Sequence, residues 1–164
     1  MLKSRRIFMK RIFVLLLFLC VCLGFTSCSS TPSAREAMAD FVSVFGDDGV
    51  IYSPEIREGE RGYIDGDFLG LMFGESCEIS GDFAVWLSSS LSSVCEAGIF
   101  CCDTSYAARL AERTARERIA LIEGIAASSQ LAVAESVILR IGSTVVYYVG
   151  SDPDLATRAW KSIL

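Results

Sequence analysis

Arg118 and Glu96 are the two residues whose positions point most directly to chemistry. With 100° per residue, a helix over 104–125 gathers one face of mostly apolar side chains: Ala107, Leu110, Ala111, Thr114, Leu121, Ile122 and Ile125. Arg118 falls in the middle of this stripe. Glu96 stands inside an otherwise apolar strand candidate at 94–102. A buried charge that loses its partner costs about 3–5 kcal/mol, so Arg118 needs an acceptor, and a carboxylate fits its forked donors. We expect a structural role in which Arg118 pairs with Glu96 or bonds backbone carbonyls; the alternative is an anion site in which Arg118 binds a ligand carboxylate or phosphate.

Four cysteines beyond residue 28 form a second candidate group: Cys77, Cys95, Cys101 and Cys102. An even number of cysteines in an exported domain is typical of disulfides. Cys95 and Cys101 would lie about 20 Å apart along one strand, so they cannot bridge within it. Cys77 with Cys101 or Cys102 is the pairing that a folded-back hairpin would allow, and buried free thiols fit the pattern equally well. No C-x-x-C spacing occurs, which argues against a thioredoxin-like or zinc site.

The chain contains no histidine, and this absence excludes several kinds of site. Ser-His-Asp and Cys-His catalysis, His-ligated zinc and histidine pH switches all require that side chain. The Asp-rich turns at 47–49 and 65–67 resemble calcium loops, but the twelfth position counted from Asp65 is Ser76 rather than Glu. We therefore expect no metal site and no cofactor, and we assign no catalytic residue.

Residues 1–27 have the pattern of an export signal. They hold five basic residues and no acid, followed by an apolar run at 12–23. As a helix this run would be about 18 Å long, shorter than the ~20 residues that span a bilayer. Phe25-Thr26-Ser27-Cys28 then resembles the lipobox of bacterial lipoproteins, with Phe25 where Leu is usual. By this resemblance Cys28 carries the lipid and begins the mature chain; an uncleaved anchor or ordinary cleavage is the alternative.

The net charge changes sign at Cys28, from a basic N-terminal segment to an acidic remainder. The whole chain has a net charge of −5, but residues 28–164 hold ten Lys and Arg against 20 Asp and Glu. A surface this acidic argues against nucleic acid as a partner and leaves the lipid to supply membrane attachment. Ser4-Arg5-Arg6 resembles a twin-arginine export motif, whereas the Leu- and Phe-rich apolar run favours the general secretory route.

The remaining patterns predict an α+β fold with a small antiparallel sheet of two hairpins and helices packed on it. Ser33 and Glu36 have capping-box spacing before a helix at 34–45 that Gly46 would end, and Gly142-Ser143 fits a two-residue hairpin turn. We expect Tyr147, Tyr148 and Trp160 to be core residues rather than a sugar-binding platform. After residue 80 the order is β-β-α-β-β-α, with strands at 83–88, 95–102, 136–141 and 144–149 and helices at 104–125 and from Asp152-Pro153 onward. We expect a signal at 1–27, a tether at 28–33 and a single domain at 34–164.

Three short motifs resemble a family of uncharacterised Gram-positive lipoproteins, the domain of unknown function numbered four-three-five-eight. They are Glu96-Ala97-Gly98-Ile99-Phe100, Ala115-Arg116-Glu117-Arg118-Ile119, and the run from Ile138 through Gly142-Ser143 to Tyr148. The likeness extends from about Gly59 to the C-terminus. The family's Tyr-x-Pro-like segment after the long helix has no counterpart in 130–134. The resemblance implies a lipid-anchored extracytoplasmic domain with no established activity.

These observations favour a protein held to the outer face of the cell membrane by lipid on Cys28, with no enzymatic activity. Its expected partners are the membrane and either an envelope protein or a small ligand, and a purely structural envelope role is also open. The alternative is a surface hydrolase that uses paired carboxylates, either Glu96 or the acids of 47–67. The two functions differ in one observable, because a catalytic Glu96 must open to a pocket whereas a structural one is sealed by Arg118.

Overall fold

The computed structural model describes residues 32–46, 48–64, 66–74, 81–89, 95–129 and 135–164, and residues Pro32–Leu164 form one compact unit. The described residues form four helices and five strands. In order they are α1 (Ala34–Phe45), β1 (Gly49–Tyr52), α2 (Gly66–Phe73), β2 (Asp82–Ser88), β3 (Glu96–Cys101), α3 (Ser105–Ser128), β4 (Glu135–Ile141), β5 (Thr144–Gly150) and α4 (Pro153–Ile163). Among these described helices, none is both long and apolar enough to cross a membrane.

The five strands form one antiparallel sheet in the order β1-β2-β3-β5-β4. The predicted α+β class is confirmed, and so is the β-β-α-β-β-α order after residue 80. The two predicted hairpin pairs, β2 with β3 and β4 with β5, meet where β3 pairs with β5. The short strand β1 extends the sheet beyond β2, so β1 and β4 are its two edges.

Local sequence signals set the ends of the helices. The Ser33 hydroxyl accepts the Glu36 N–H while the Glu36 carboxylate accepts the Ser33 N–H, which completes the predicted capping box. α1 then ends at Gly46, whose φ of +59° is the left-handed conformation typical of a helix C-terminus. The side chains of Thr104 and Asp152 accept the N–H groups of Ala107 and Leu155 at the starts of α3 and α4.

Helices cover both faces of the sheet, so alternate residues of each strand enter two separate cores. We call one the ionic face: it presents Glu96, Gly98, Phe100 and Tyr147 toward α2 and α3. The other is the aromatic face, which presents Trp86, Ile99 and Tyr148 toward α1 and α4. The residues Tyr147, Tyr148 and Trp160 are all buried, as expected for core positions.

The buried side of α3 differs from the predicted one. The sequence pattern placed Leu121 and Ile125 on the core face, but they are 50% and 48% exposed. The residues that contact the sheet are mostly alanine and isoleucine: Ala108, Ala111, Ala115, Ile119, Ile122 and Ala126. The observed face is rotated by roughly a quarter turn from the predicted one at 100° per residue. Arg118 therefore lies at the edge of the buried stripe rather than at its centre.

Candidate functional site

The structure brings Glu96 and Arg118 together on the ionic face. Glu96 is the first residue of β3 and Arg118 lies in the second half of α3, which crosses that face. The Arg118 Nε lies 2.9 Å from Glu96 Oε1, and Nη2 lies 2.7 Å from Oε2. This two-pronged contact uses both carboxylate oxygens and matches the planar fork of the guanidinium.

Tyr147, which the sequence predicts only as a core residue, completes the site. Its hydroxyl donates to Glu96 Oε1 over 2.5 Å, and its ring is completely buried. In the β3–β5 register Tyr147 stands opposite Gly98, two residues along the strand from Glu96. A Cβ at position 98 would overlap the Tyr147 ring, so glycine there lets the ring lie flat across β3 and reach the carboxylate. A glycine opposite a tyrosine, two residues from a buried acid, is the signal that could have revealed it.

A third Arg118 contact ties the site to α2. Nη1 donates to the backbone carbonyl of Met72 over 3.1 Å, and the guanidinium carbon lies 6.0 Å from the Phe73 ring centre. Met72 is in the last turn of α2, where backbone carbonyls lack partners within the helix. An arginine there satisfies one such carbonyl and complements the negative end of the helix dipole. Arg118 thus connects β3, α3 and α2 through one side chain.

Burial and the neighbouring Glu96 carboxylate shift the pKa values of Tyr147 and Arg118. Burial raises the pKa of the Tyr147 hydroxyl well above its ordinary value, and the Glu96 charge raises it further. Burial alone would lower the pKa of Arg118, but the hydrogen bonds and charge of Glu96 raise it overall. The phenol is therefore a neutral donor, and the guanidinium is a fixed cation.

The network is closed to substrates. Glu96 is 2% exposed, and its oxygens are occupied by Arg118 and Tyr147. Glu96 fills the place that a ligand anion would take against Arg118, so the geometry fits a structural ion pair rather than an anion pocket. A carboxylate in this position cannot reach the scissile bond of a bound substrate.

The cysteines of the described residues do not form disulfides with one another. Cys101 packs on the aromatic face, whereas Cys102 is buried on the ionic face, and burial raises the pKa of both thiols. The Cys95 thiol donates to the Tyr148 hydroxyl over 3.6 Å. Cys77 lies outside the described residues, so its bridge to Cys101 or Cys102 stays a prediction. Cys28 lies outside them as well.

A shallow groove of about 370 Å³ runs between α3 and the edge strand β4. Six residues line it: Arg116, Ile119, Ala120, Glu123, Ser136 and Ile138. The Ser136 hydroxyl donates to Glu123 across it over 3.1 Å, so the polar groups satisfy each other rather than converge on a ligand. Within the described part of the chain, no group of His, Cys, Asp or Glu side chains has the arrangement of a metal site.

Comparison with protein-family models, with curated proteins and with solved structures finds no match to this chain. The lipoprotein family resemblance therefore depends on the three motifs quoted above. Two residues of these motifs, Glu96 and Arg118, form the buried pair, and a third motif runs into Tyr147.

Proposed function

We propose that this chain is a lipid-anchored extracytoplasmic protein whose domain is a binding or accessory component of the cell envelope. The observation that carries the proposal is the N-terminal pattern: five basic residues, an apolar run at 12–23, and Cys28 directly after Ser27. The motif resemblance to uncharacterised Gram-positive lipoproteins supports the same location.

The charge of the mature chain favours a lipid as the anchor. Residues 28–164 carry ten cations and 20 anions, and such a surface is repelled by anionic headgroups. A diacylated cysteine inserts two acyl chains, and two chains give stable attachment where one gives only reversible binding. Lipid on Cys28 would therefore hold an otherwise repelled domain at the bilayer.

The sealed Glu96 weighs against the alternative function, a carboxylate-dependent hydrolase. A general acid or nucleophile must lie within hydrogen-bond reach of the reacting atom. Glu96 is bound on both oxygens by Arg118 and Tyr147. Without Glu96, the hydrolase would have to depend on acids of 47–67 such as Glu58 and Glu60, which are exposed.

Processing at Cys28 tests the proposal in the native host. We expect the wild-type chain to partition into detergent, and its processing to stop when the lipoprotein signal peptidase is inhibited with globomycin. Cys28→Ser should abolish both the lipid mass and the membrane association, whereas the matched variant Cys22→Ser should change neither. Unchanged processing and membrane association of Cys28→Ser would contradict the proposal.

Crosslinking in intact cells tests the binding or accessory role. The wild-type chain should yield a discrete crosslinked partner that is lost when Cys28→Ser releases the domain from the membrane. Turnover of an ester or glycoside panel by the purified domain, lost on replacing one of the acids of 47–67, would instead support the hydrolase.

A further inference from the structure

The domain begins at one end of its sheet. The Ala34 N–H donates to Asp82 Oδ2 over 2.6 Å, and the Ser33 hydroxyl donates to Glu55 over 3.2 Å. Asp82 is the first residue of β2, so the chain enters the domain at the end of the sheet where β2 starts. The register aligns three strand ends there, at Asp82, Cys101 and Thr144. We call these three residues, with the Gly142-Ser143 turn and the first turn of α3, the tether end.

α3 extends from the tether end to the opposite end of the sheet. At its start, the Arg140 guanidinium beside the β4–β5 turn donates to the Ser105 carbonyl over 3.4 Å. Near its finish, Glu123 accepts from Ser136, which pairs with Val149 far from that turn. Residues 106 and 125 of this helix are therefore separated by about 28 Å along its axis.

The number of residues between Cys28 and Ser33 limits how far the domain can be from its lipid. Five residue steps span at most about 18 Å when fully extended. As a flexible chain they have a root-mean-square span of about 12 Å. The 12 residues of α1 alone span about 18 Å, so only a fully stretched tether could bring the opposite end to the membrane.

An exposed aromatic side chain beside a cation distinguishes the surface of the tether end. At the tether end Tyr106 is 65% exposed, with the Arg109 guanidinium carbon 5.9 Å from its ring centre, and Arg35 and Arg140 are also exposed. Tyrosine and arginine are side chains that favour the membrane interface. The opposite end exposes carboxylates: Asp48, Glu123, Glu135, Asp152 and Asp154. The tether end exposes carboxylates as well, those of Glu36, Glu55 and Asp103, so the two ends are distinguished by the Tyr106–Arg109 pair and by the reach of the tether rather than by net charge.

We propose that the tether end lies against the lipid headgroups, with Tyr106 and Arg109 in the interface, and that the opposite end faces away from the membrane. This inference rests on the proposed lipid at Cys28. The occupant of the tether end is the bilayer surface itself, and the opposite end is the part of the domain left accessible to an envelope partner.

Hydroxyl-radical footprinting tests the orientation along a single helix. The lipidated chain is reconstituted in phosphatidylglycerol–phosphatidylethanolamine vesicles, and Cys28→Ser protein in the same vesicle suspension is the unattached control. Oxidation of Tyr106 should fall several-fold in the attached protein. Leu121 and Ile125 should be oxidised equally in both, because they lie toward the other end of α3 with similar starting exposure.

The outcomes separate the orientation from the lipidation on which it depends. Flotation and the mass of the N-terminal peptide report the lipid, and its absence overturns both proposals. A lipidated, floating protein with undiminished Tyr106 oxidation, or with protection at Ile125 instead, overturns the orientation alone.

A longer tether tests whether the short span of residues 28–33 causes the protection of Tyr106. Inserting about twenty Gly and Ser residues after Ser30 roughly doubles the root-mean-square span. Flotation should be unchanged while Tyr106 oxidation rises toward the level of the unattached control. Protection that persists in full would overturn the short tether as its cause.

Discussion

The two faces of the sheet are built from alternate residues of the same strands, yet they treat buried polar groups differently. On the ionic face the charged Glu96 has a partner on each oxygen. On the aromatic face, Phe41 stacks on Trp160 at 4.0 Å, and the indole nitrogens of Trp86 and Trp160 are buried without a hydrogen-bond partner among the described residues. An unpaired neutral N–H costs about 1–3 kcal/mol, which good aromatic packing offsets, whereas an unpaired carboxylate costs more. The core thus tolerates a neutral donor without a partner, but it does not tolerate an unpaired charge.

Removal of the Arg118 cation should destabilise the domain more than any other single substitution discussed below. Arg118→Met leaves Glu96 buried and uncompensated, and we expect the free energy of unfolding to fall by about 3–5 kcal/mol. Urea denaturation followed by circular dichroism measures the change. Arg116→Met is the matched control, because Arg116 pairs with Glu112 on the exposed side of the same helix and should contribute under about 0.5 kcal/mol.

The double variant Glu96→Leu with Arg118→Met tests whether the loss of stability in Arg118→Met comes from the unpaired Glu96 carboxylate. Once both charges are absent no desolvated carboxylate remains, so this protein should be more stable than Arg118→Met alone. An equal or larger loss in the double variant would show that Arg118 acts through packing rather than through Glu96.

Gly98→Ala should damage the same network by steric means. Its Cβ would overlap the Tyr147 ring, which is buried and cannot move without leaving Glu96. We expect a loss of about 2–3 kcal/mol, as for an overpacked core. Gly124→Ala places a methyl group in open space on α3 and should be neutral or stabilising by up to about 1 kcal/mol. Thermal melts of both variants measure the contrast.

Two neighbouring tyrosines allow one hydroxyl to be removed from each face. Tyr147→Phe removes a hydrogen bond to a buried carboxylate and should cost about 2 kcal/mol. Tyr148→Phe removes a hydroxyl whose partners carry no buried charge, the Cys95 thiol, the Asp152 backbone and the Ser151 side chain, and should cost about 1 kcal/mol. Similar losses in the two variants, measured by chemical denaturation, would remove the distinction between the faces.

Alkaline pH should weaken the domain gradually. Burial and the charge of Glu96 raise the pKa of Tyr147, so folding favours the protonated phenol. Below the unfolded-state pKa of about 10 this stability is fully present. Above it the unfolded chain ionises first, so stability falls by up to about 1.4 kcal/mol per pH unit for this group until the folded pKa is passed. Denaturation midpoints measured from about pH 8 to about pH 11 should fall less steeply for Tyr147→Phe than for wild type.

Local rules predicted much of the fold. The capping box at Ser33, the glycine stop at Gly46 and the hairpin turn at Gly142 each depend on a few adjacent residues, and all are present. The core face of α3 was wrong because its alanines pack closely against the sheet while the larger Leu121 and Ile125 stay exposed. A hydrophobic pattern assigns large apolar side chains to the core face, whereas close packing of a helix on a sheet favours small side chains there.

The candidate site could be predicted only in part. A charged residue in an apolar stripe and another in an apolar strand are visible in the sequence, and these indicated Arg118 and Glu96. The sequence does not reveal Tyr147 as a partner, nor that the backbone carbonyl bound by Arg118 is that of Met72, because their proximity depends on strand register and on where α2 docks. Those are tertiary relations that no short window of sequence contains.

The hydrogen bond from Arg118 to the Met72 carbonyl bears on how the domain opens. α2 has only eight residues, and a helix of this length is marginal on its own, so it would be expected to fray independently. Because its last turn shares a guanidinium with Glu96, peeling α2 from the sheet disturbs the cation that neutralises a buried acid. α2 therefore belongs to the same cooperative unit as β3. Its backbone amides should exchange with solvent when the whole core opens rather than through local fluctuations of α2.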